Sequence, residues 1–269
     1  MKSQIISLIL AAGRGSRMKG FEGNKTLLPL LAKKSPLEGE EPMLIHILKR
    51  LPPGPKGVVI NYKKDDIINA TRSFQLTYCE QPVLNGTGGA LLASRSFLEA
   101  QDLDHLIITM GDVPLIRTET FLNLIQGLRD HGLMILAFQT TDKRQYGVLE
   151  IHGNEVSRII EWKYWKTYPE ERQEPLQICN SGIYAASKKK MLSYLSILEK
   201  RPHIVSKERD GKIVQLEEYF LTDLVELMHK DGVKTGYMIV PDEDEVMGVD
   251  DLTSLIKAQN MFRKTTFER

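Results

Sequence analysis

A cluster of cations follows two glycines near the beginning of the sequence. Residues 8–30 read LILAAGRGSRMKGFEGNKTLLPL, and those suited to phosphate binding are Gly13, Arg14, Gly15, Arg17 and Lys25. A glycine loop after a buried strand lets backbone N–H groups approach phosphates, because no side chain blocks the approach. Arginine adds a planar fork and lysine a mobile point charge. The pattern therefore predicts a polyphosphate site, although glycines alone would also fit a strand, a turn and a solvated basic loop.

Carboxylates at two distant positions are suited to complete such a site. Asp112 follows an apolar strand pattern in MGDVPL, and Asp250 and Asp251 follow a Gly-Val pair. Ligands of open α/β sheets bind beyond the carboxyl ends of the strands, and Mg²⁺ takes one or two protein carboxylates together with phosphate oxygens. We predict Asp112 and Asp250 as Mg²⁺ ligands and Asp251 as the cap of the last helix. For Asp112 alone, an ordinary turn before Pro114 is an equally good interpretation.

A second glycine loop, NGTGG at 85–89, follows the next strand pattern and Gln81. A glutamine side chain offers both donors and an acceptor to the edge of a base, and glycine lets a flat ring lie close to the backbone. The alternative is an ordinary helix start with Thr87 as its N-cap.

Strand and helix patterns alternate up to residue 140, which predicts a mostly parallel sheet with helices on both faces. The predicted strands cover 5–12, 57–62, 74–79, 103–110 and 133–138, and the predicted helices 43–51, 65–73 and 118–131. Residues 32–41 are predicted as a surface excursion. Beyond residue 140, antiparallel strands are predicted at 146–151, 154–162 and 176–186, with a hairpin turn at Gly153-Asn154. Helices at 188–200, 217–230 and 252–264 and a strand at 235–240 complete the prediction.

The composition is that of an ordinary soluble globular protein. The 269 residues are 42% hydrophobic and 26% charged, with a formal net charge of +1, so no global field favours nucleic acid or an anionic membrane. No apolar run approaches the ~20 residues of a membrane span, and two cysteines cannot form a disulfide framework. The first apolar run resembles a signal peptide, but Arg14 and Arg17 follow at once, and we predict a core strand in a cytoplasmic protein.

Seven sequence blocks follow the order found in one enzyme family. They are LAAGRGSRM, EQPVLNGTGGA, MGDVPLI, YGVLEIHGNEVSRIIEWK, ICNSGIYAA, EEYFLTDL and GVDDLTSL. Over nearly its whole length the sequence thus resembles the bacterial N-acetylglucosamine-1-phosphate uridyltransferases, a group of sugar nucleotidyltransferases. The resemblance implies a Rossmann-like α/β nucleotidyltransferase fold with a smaller antiparallel sugar-binding part. It also implies one domain over 1–269, with a nucleotide-binding half at 1–140 and a sugar-binding half with closing helices at 141–269.

The resemblance also assigns roles to individual positions. The implied catalytic residues are Arg17, Lys25 and Asp112, and the implied metal ligands are Asp112 and Asp250. The implied nucleotide-binding residues are Leu10, Ala11, Ala12, Gly13, Arg14, Gly15, Gln81, Gly86 and Thr87, and the implied sugar-binding residues are Gly147, Glu161 and Asn180. Four positions depart from the family pattern: Asn24 replaces a proline, Gly89 a histidine, Met110 an aromatic residue and Asp250 an asparagine.

The implied reaction joins a nucleoside triphosphate, by preference UTP, to a sugar 1-phosphate such as N-acetylglucosamine 1-phosphate. It requires Mg²⁺ and releases pyrophosphate. A cytidylyltransferase, a molybdopterin nucleotidyltransferase and a catalytically silent nucleotide-binding protein are the alternatives. We expect no nucleic-acid or membrane partner. Because the sequence ends one helix after GVDD, we also expect no hexapeptide-repeat acetyltransferase activity.

Overall fold

The computed structural model describes residues 4–15, 17–18, 20–209 and 212–267. Its strands are β1 (Ile6–Leu10), β2 (Pro29–Ser35), β3 (Glu38–Pro42), β4 (Lys56–Ile60), β5 (Thr77–Glu80), β6 (His105–Met110), β7 (Leu133–Gln139), β8 (Val148–His152), β9 (Glu155–Ile160), β10 (Ile178–Ser187), β11 (His203–Arg209), β12 (Lys212–Glu218) and β13 (Thr235–Ile239). Its α-helices are α1 (Met43–Arg50), α2 (Lys64–Thr71), α3 (Gly86–Ala93), α4 (Arg95–Glu99), α5 (Thr118–Gln126), α6 (Trp162–Trp165), α7 (Glu170–Gln173), α8 (Lys188–Leu198), α9 (Asp223–Lys230) and α10 (Leu252–Phe267). Short 3₁₀ turns cover Lys25–Leu27, Gly127–Arg129 and Glu243–Val246.

A mostly parallel sheet organises the molecule, with strand order β13-β7-β10-β6-β1-β4-β5. Strand β1 pairs in parallel with both β6 and β4, so that Ile9 lies between Thr109 and Val58. Strand β10 is antiparallel to its neighbours β6 and β7, and β8 and β9 extend from it. The predicted fold class is confirmed. Because β1, β4, β5 and β6 are parallel, the segments that follow them meet at one edge.

Helices cover both faces of this sheet, as the alternation predicts. Successive residues of β1 point to opposite faces. Ile9 packs in the same buried cluster as Leu44 of α1 and Phe121 of α5. Leu8 packs on the other face with Leu195 of α8.

Two regions differ from the sequence prediction. The predicted excursion at 32–41 lies in a β2–β3 hairpin, on which α10 packs through hydrogen bonds from the Gln259 amide to the carbonyls of Pro29 and Pro36. The helix predicted from residue 217 begins at Asp223, because the preceding residues form the antiparallel ribbon β11–β12.

The remaining structural predictions concern turns, thiols and membrane spans. The hairpin at Gly153-Asn154 is confirmed, with a left-handed φ of 61° at Gly153. Cys79 and Cys179 are buried free thiols, and burial raises the pKa of each to about 11. Within the described ranges, no helix has the length and apolar character needed to cross a membrane.

Candidate functional site

The side chain of Lys25 lies between two carboxylates at the edge of the sheet. Its ammonium nitrogen is 2.6 Å from Oδ2 of Asp112 and 2.8 Å from Oδ1 of Asp250. The same oxygen of Asp250 lies 2.9 Å from a guanidinium nitrogen of Arg17. The structure thus brings together four residues that are up to 233 positions apart, from 17 to 250, and that the sequence placed in one site.

The charges in this cluster are strongly coupled. Lys25 is only 9% exposed, and burial by itself would lower the pKa of its ammonium group. The carboxylates of Asp112 and Asp250 outweigh burial, so that the pKa of Lys25 is raised. Lys25 therefore remains a cation over the whole physiological range. Arg17 is more exposed, with 61% of its side-chain surface accessible, which leaves its fork available to a ligand.

Lys25 is positioned by a 3₁₀ turn that Asn24 caps. The Asn24 carboxamide oxygen accepts hydrogen bonds from the backbone N–H (3.0 Å) and the hydroxyl (2.7 Å) of Thr26. Its amide nitrogen donates to the carbonyl of Tyr62, 2.8 Å away, in the segment after β4. Asn24 is 1% exposed, so the residue that replaces the family's proline is a buried link between Lys25 and the sheet.

Gly15 lets the loop after β1 pass close to Lys25. Its φ is +61°, and a Cβ built on it would lie 2.8 Å from Cβ of Lys25. By contrast, a Cβ on Gly13 would have nothing within 4 Å. Among the described residues, the N–H groups of Gly13, Arg14 and Gly15 have no acceptor, so they remain available to phosphate oxygens. The guanidinium of Arg14 lies 6.0 Å from the centre of the Tyr62 ring, at the outer limit of a cation–π contact.

Backbone contacts bring the two carboxylates together. The N–H of Gly111 donates to the carbonyl of Leu10 (2.9 Å), which places Asp112 directly beyond β1 and β6. The N–H of Val249 donates to the carbonyl of Asp112, at 2.8 Å, so the segment before Asp250 runs alongside. Asp251 instead accepts the N–H of Ser254 (2.8 Å) and caps α10.

The chemistry of this pair fits one divalent cation together with phosphate. A single ammonium group contacts oxygens of both Asp112 and Asp250, so a single metal ion can also reach both. In the part of the chain that the structure describes, no group of three or more His, Cys, Asp or Glu residues is suited to hold a metal ion. Such a sparse donor set matches Mg²⁺, which keeps several waters and takes its other ligands from substrate phosphates. A metal that needs a cage made only of protein ligands would not fit it.

Gln81 and the loop beyond it form a compact unit at the same edge. The amide nitrogen of Gln81 donates to Oδ1 of Asn85 (2.9 Å) and to the carbonyl of Gly86 (3.1 Å). Helix α3 begins at Gly86, so Thr87 is not its N-cap. The Thr87 hydroxyl instead accepts the N–H of Leu221, at 3.1 Å. Gly86 has a φ of +93° and lies against the carbonyl of Tyr219, where any side chain would clash.

The three residues implied for sugar binding are neighbours. The N–H of Asn180 donates to the carbonyl of Gly147 (2.8 Å), and a Cβ on Gly147 would lie 3.7 Å from Oε2 of Glu161. Oε1 of Glu161 accepts the hydroxyl of Thr222, at 2.8 Å. The Asn180 amide donates to the Tyr184 hydroxyl (2.8 Å) and its oxygen accepts the N–H of Gly182 (3.0 Å), so one of its two donors and one of its two acceptor sites are used within the strand bulge.

Sequence reasoning missed three residues of this region. They are Asn24, Thr222 and Tyr146. Burial raises the pKa of Tyr146, and this residue lies near Asp250 and Asp112. Thr222 and Tyr146 lie within or beside the matching blocks, so a search around each block would have found them. Asn24 stands out in the sequence only as a departure from the family pattern, which gives no sign of its bond to Tyr62.

A mostly parallel α/β sheet whose strand ends carry a glycine loop, two cations and paired carboxylates defines a nucleotidyltransferase of Rossmann-like fold. Residues 7–206 match the family model of the MobA-like NTP transferase domain, and the chain belongs to this family.

Known proteins are similar to this chain in sequence, and solved structures are similar to it in fold. The chain is similar to the bifunctional protein GlmU of Cereibacter sphaeroides, with 31% identity over 268 residues, covering 98% of this chain and 53% of that protein. The chain thus spans about half the length of the curated relatives it matches. Its fold is similar to that of uridine diphosphate N-acetylglucosamine pyrophosphorylase from Trypanosoma brucei, with a TM-score of 0.72 at 15% identity, covering 96% of this chain and 65% of that one. It is also similar to a CMP:2-keto-3-deoxy-manno-octonic acid synthetase complexed with CTP, with a TM-score of 0.63 at 17% identity over 98% and 100% of the chains.

Proposed function

We propose that this nucleotidyltransferase joins UTP to a sugar 1-phosphate, with N-acetylglucosamine 1-phosphate as the preferred acceptor, and that it requires Mg²⁺. The observation that carries the proposal is the ammonium of Lys25 held between Asp112 and Asp250, with Arg17 beside them and the glycine loop alongside. One place thus offers cations and backbone donors for a triphosphate and carboxylates for a metal ion. The resemblance of the seven sequence blocks to the N-acetylglucosamine-1-phosphate uridyltransferases supports the substrate class.

In this proposal the cations bind and align two polyanions. Arg17 and Lys25 neutralise the triphosphate, and the free N–H groups of the glycine loop bind its oxygens. An oxygen of the sugar phosphate attacks the α-phosphorus, a new P–O bond forms, and the bond to the β-phosphate breaks with its electron pair leaving on pyrophosphate. No general base is required, because the attacking phosphate is already ionised. Alignment and charge neutralisation therefore supply most of the catalysis.

Asp112 and Asp250 would hold the metal ion. Bound there, Mg²⁺ would neutralise charge on the reacting phosphates. Lys25 and Arg17, which here contact these carboxylates, would bind the triphosphate beside them.

The hydrogen bonds of Gln81 support uracil as the base. Both amide hydrogens of Gln81 are donated within the loop, so its oxygen is the atom that remains for a ligand. An acceptor suits the N3–H of uracil, whereas cytosine carries a lone pair at N3. Gly86 and Thr87 would support the base through the backbone of this loop.

The sugar would contact the group formed by Gly147, Glu161 and Asn180. Glu161 offers its Oε2, since Oε1 is bonded to Thr222, and a carboxylate is suited to accept hydrogen bonds from sugar hydroxyls or an acetamide. In this proposal, residues 1–140 bind the nucleotide and residues 141–269 bind the sugar, except that Asp250 reaches back to the metal site.

The test is pyrophosphate release from each nucleoside triphosphate paired with a panel of sugar 1-phosphates in the presence of Mg²⁺. UTP with N-acetylglucosamine 1-phosphate should react fastest. Asp112→Asn should lose ~10³-fold or more, because several kcal/mol of barrier at ~1.4 kcal/mol per tenfold are at stake.

Asp251→Asn is the matched control, since asparagine caps a helix as well as aspartate does and this residue lies outside the carboxylate pair. It should retain wild-type turnover. A wild-type enzyme that is silent across the panel, or an Asp112→Asn variant as active as the wild type, would overturn the proposal. Tight nucleotide binding without turnover would favour a silent binding protein, and turnover only with CTP would favour a cytidylyltransferase.

A further inference from the structure

Two chain segments that carry the paired carboxylates run side by side and are joined at both ends. One segment leads away from Asp112 to Arg117 at the start of α5, and the other leads from Glu245 to Asp250. At the site end, the N–H of Val249 donates to the carbonyl of Asp112, at 2.8 Å. At the far end, Arg117 and Glu245 form an ion pair. Residues 112–117 and 245–250, linked at both ends by these two contacts, form a unit that we call the frame. The two carboxylates lie at one end of it.

At the far end of the frame, Glu245 accepts several hydrogen bonds. Glu245 accepts Nε of Arg117 at 2.7 Å and the backbone N–H of Arg117 at 3.0 Å. It also accepts the terminal guanidinium nitrogen of Arg117 and the hydroxyl of Thr120. Glu245 is 4% exposed, so all of these bonds are made by a charge removed from water. The Glu245 side chain is 3% exposed, whereas that of Arg117 is 59% exposed. Both guanidinium nitrogens bond to one oxygen of Glu245, and its other oxygen accepts from the Arg117 backbone and from Thr120. The carboxylate therefore has little freedom of geometry, because leaving a buried charge unpaired is costly.

The residues between the two ends pack firmly. Val113 and Ile116 on one segment and Val246 and Val249 on the other are each at most 3% exposed. No residue in this stretch is a glycine except Gly248, which directly precedes Val249. A displacement at Glu245 is therefore transmitted along a packed segment to Asp250.

We propose that the Arg117–Glu245 ion pair is a positioning pair that sets the separation of Asp112 and Asp250 and thereby the affinity of the metal site. The inference rests on the proposed function, because it takes the two carboxylates as metal ligands. Neither Arg117 nor Glu245 touches the site. Both act through the segments that they join.

A matched control lies in the same 3₁₀ turn. Asp244 is adjacent to Glu245 and carries the same charge, but its ion pair is made with Lys257 of α10. Its carboxylate side chain is more exposed, at 28% against 3% for Glu245. Asp244→Asn therefore removes a charge and an ion pair from this turn without touching the link to Arg117.

The experiment is a Mn²⁺ titration of the nucleotide-free full chain, with free Mn²⁺ followed by electron paramagnetic resonance. The Mg²⁺ concentration for half-maximal turnover is measured in parallel. Glu245→Gln should raise the half-saturating metal concentration by about tenfold, the effect typical of residues that support metal ligands from outside. The KM for the triphosphate at saturating Mg²⁺ should stay close to the wild-type value. Arg117→Lys keeps the charge and loses the fork, and should give a smaller rise in the same direction, whereas Asp244→Asn should match the wild type.

Thermal unfolding of each variant identifies misfolding. If Glu245→Gln does not fold, Arg117→Lys decides, because it leaves Glu245 paired with a cation. Wild-type metal affinity in a folded Glu245→Gln or Arg117→Lys variant would overturn the inference, as would an equal loss in Asp244→Asn. Those results would leave the proposed function intact. Mn²⁺ binding by the wild type that Asp112→Asn does not weaken would instead refute the metal site itself, and the role of the ion pair with it.

Discussion

Gly15 and Gly13 lie two residues apart in the same loop, yet the structure predicts opposite outcomes when each is replaced by alanine. At Gly15 the backbone has a φ of +61°, and a Cβ would lie 2.8 Å from Cβ and 3.2 Å from Cδ of Lys25. At Gly13 φ is not left-handed, and the new methyl group would have nothing within 4 Å. Comparing Gly15→Ala with Gly13→Ala therefore distinguishes a glycine that the loop conformation requires from one that alanine can replace.

The magnitude for Gly15→Ala has two parts. A left-handed conformation costs an L-residue roughly 1–2 kcal/mol, which alone lowers the midpoint of thermal unfolding by about 2–8 °C in a chain of this size. The clash also forces Lys25 away from Asp112 and Asp250. Since a hydrogen bond to a charged group contributes about 1.5–3 kcal/mol, losing one hydrogen bond from Lys25 to the triphosphate in the transition state should reduce kcat by about 10- to 100-fold.

The assay combines thermal unfolding with initial rates of pyrophosphate release at saturating substrates. Gly13→Ala should keep the free energy of unfolding within about 0.5 kcal/mol of the wild-type value. A Gly15→Ala variant with wild-type stability and wild-type kcat would show that the loop does not require its left-handed turn. An equal loss of stability in Gly13→Ala would contradict the open space that the structure places around residue 13.

Two further predictions concern charges at the site and at the last helix. Lys25→Met removes the cation between the two carboxylates, and a unit charge ~4 Å away contributes about 1 kcal/mol even in water-like surroundings. The variant should therefore bind Mn²⁺ about fivefold more tightly in the absence of nucleotide, as measured by titration, while turnover is lost; weaker Mn²⁺ binding would contradict this electrostatic reasoning. Asp251→Ala should lower the free energy of unfolding by ~1 kcal/mol through loss of the cap. The N–H of Ser254 holds the pKa of the Asp251 carboxyl below its ordinary value of 3.8, so this stabilisation is present above pH 4 and lost as the pH falls through the lower, folded-state pKa. Unfolding curves of wild type and variant at pH 7 and pH 3 should therefore differ more at pH 7, and an equal difference at both would exclude the charged cap.

The core of the fold was predictable because its strands are buried on both faces. Strands β1 and β6 are mostly apolar, and the segment after each carries residues of the site. The ribbon β11–β12 was not predicted. Among its residues whose side chains are described, exposed positions alternate with half-buried ones and Glu218 alone is buried, so no row of buried apolar residues marks a period of two. Ile204 and Ile213 are 60% and 80% exposed. The Asp-Gly pair at 210–211 is a hairpin signal in the sequence that would have indicated it.

The composition of the site was predictable, and its internal bonding was not. Residue types and spacing indicate that Lys25, Asp112 and Asp250 converge, because each follows a segment that ends at the same edge. Nothing in a linear sequence shows that Asn24 links the turn of Lys25 to Tyr62, or that a buried Glu245 ties the second carboxylate to α5. Both contacts join residues at least 38 positions apart, and hydrogen bonds over such distances depend on the packed sheet.

The departure from the family pattern at Gly89 has a physical counterpart at Asn85. A Cβ on residue 89 would lie 1.8 Å from Oδ1 of Asn85, so a larger residue here and the present Asn85 conformation exclude each other. That same oxygen of Asn85 receives the amide of Gln81. The absence of a side chain at residue 89 therefore lets Asn85 orient Gln81, and the amide oxygen that Gln81 retains is the group we assign to the base. Any side chain at residue 89 would free the Gln81 amide to donate to a ligand, and the preference for a base with a hydrogen at N3 would weaken even if the phosphate site were unchanged.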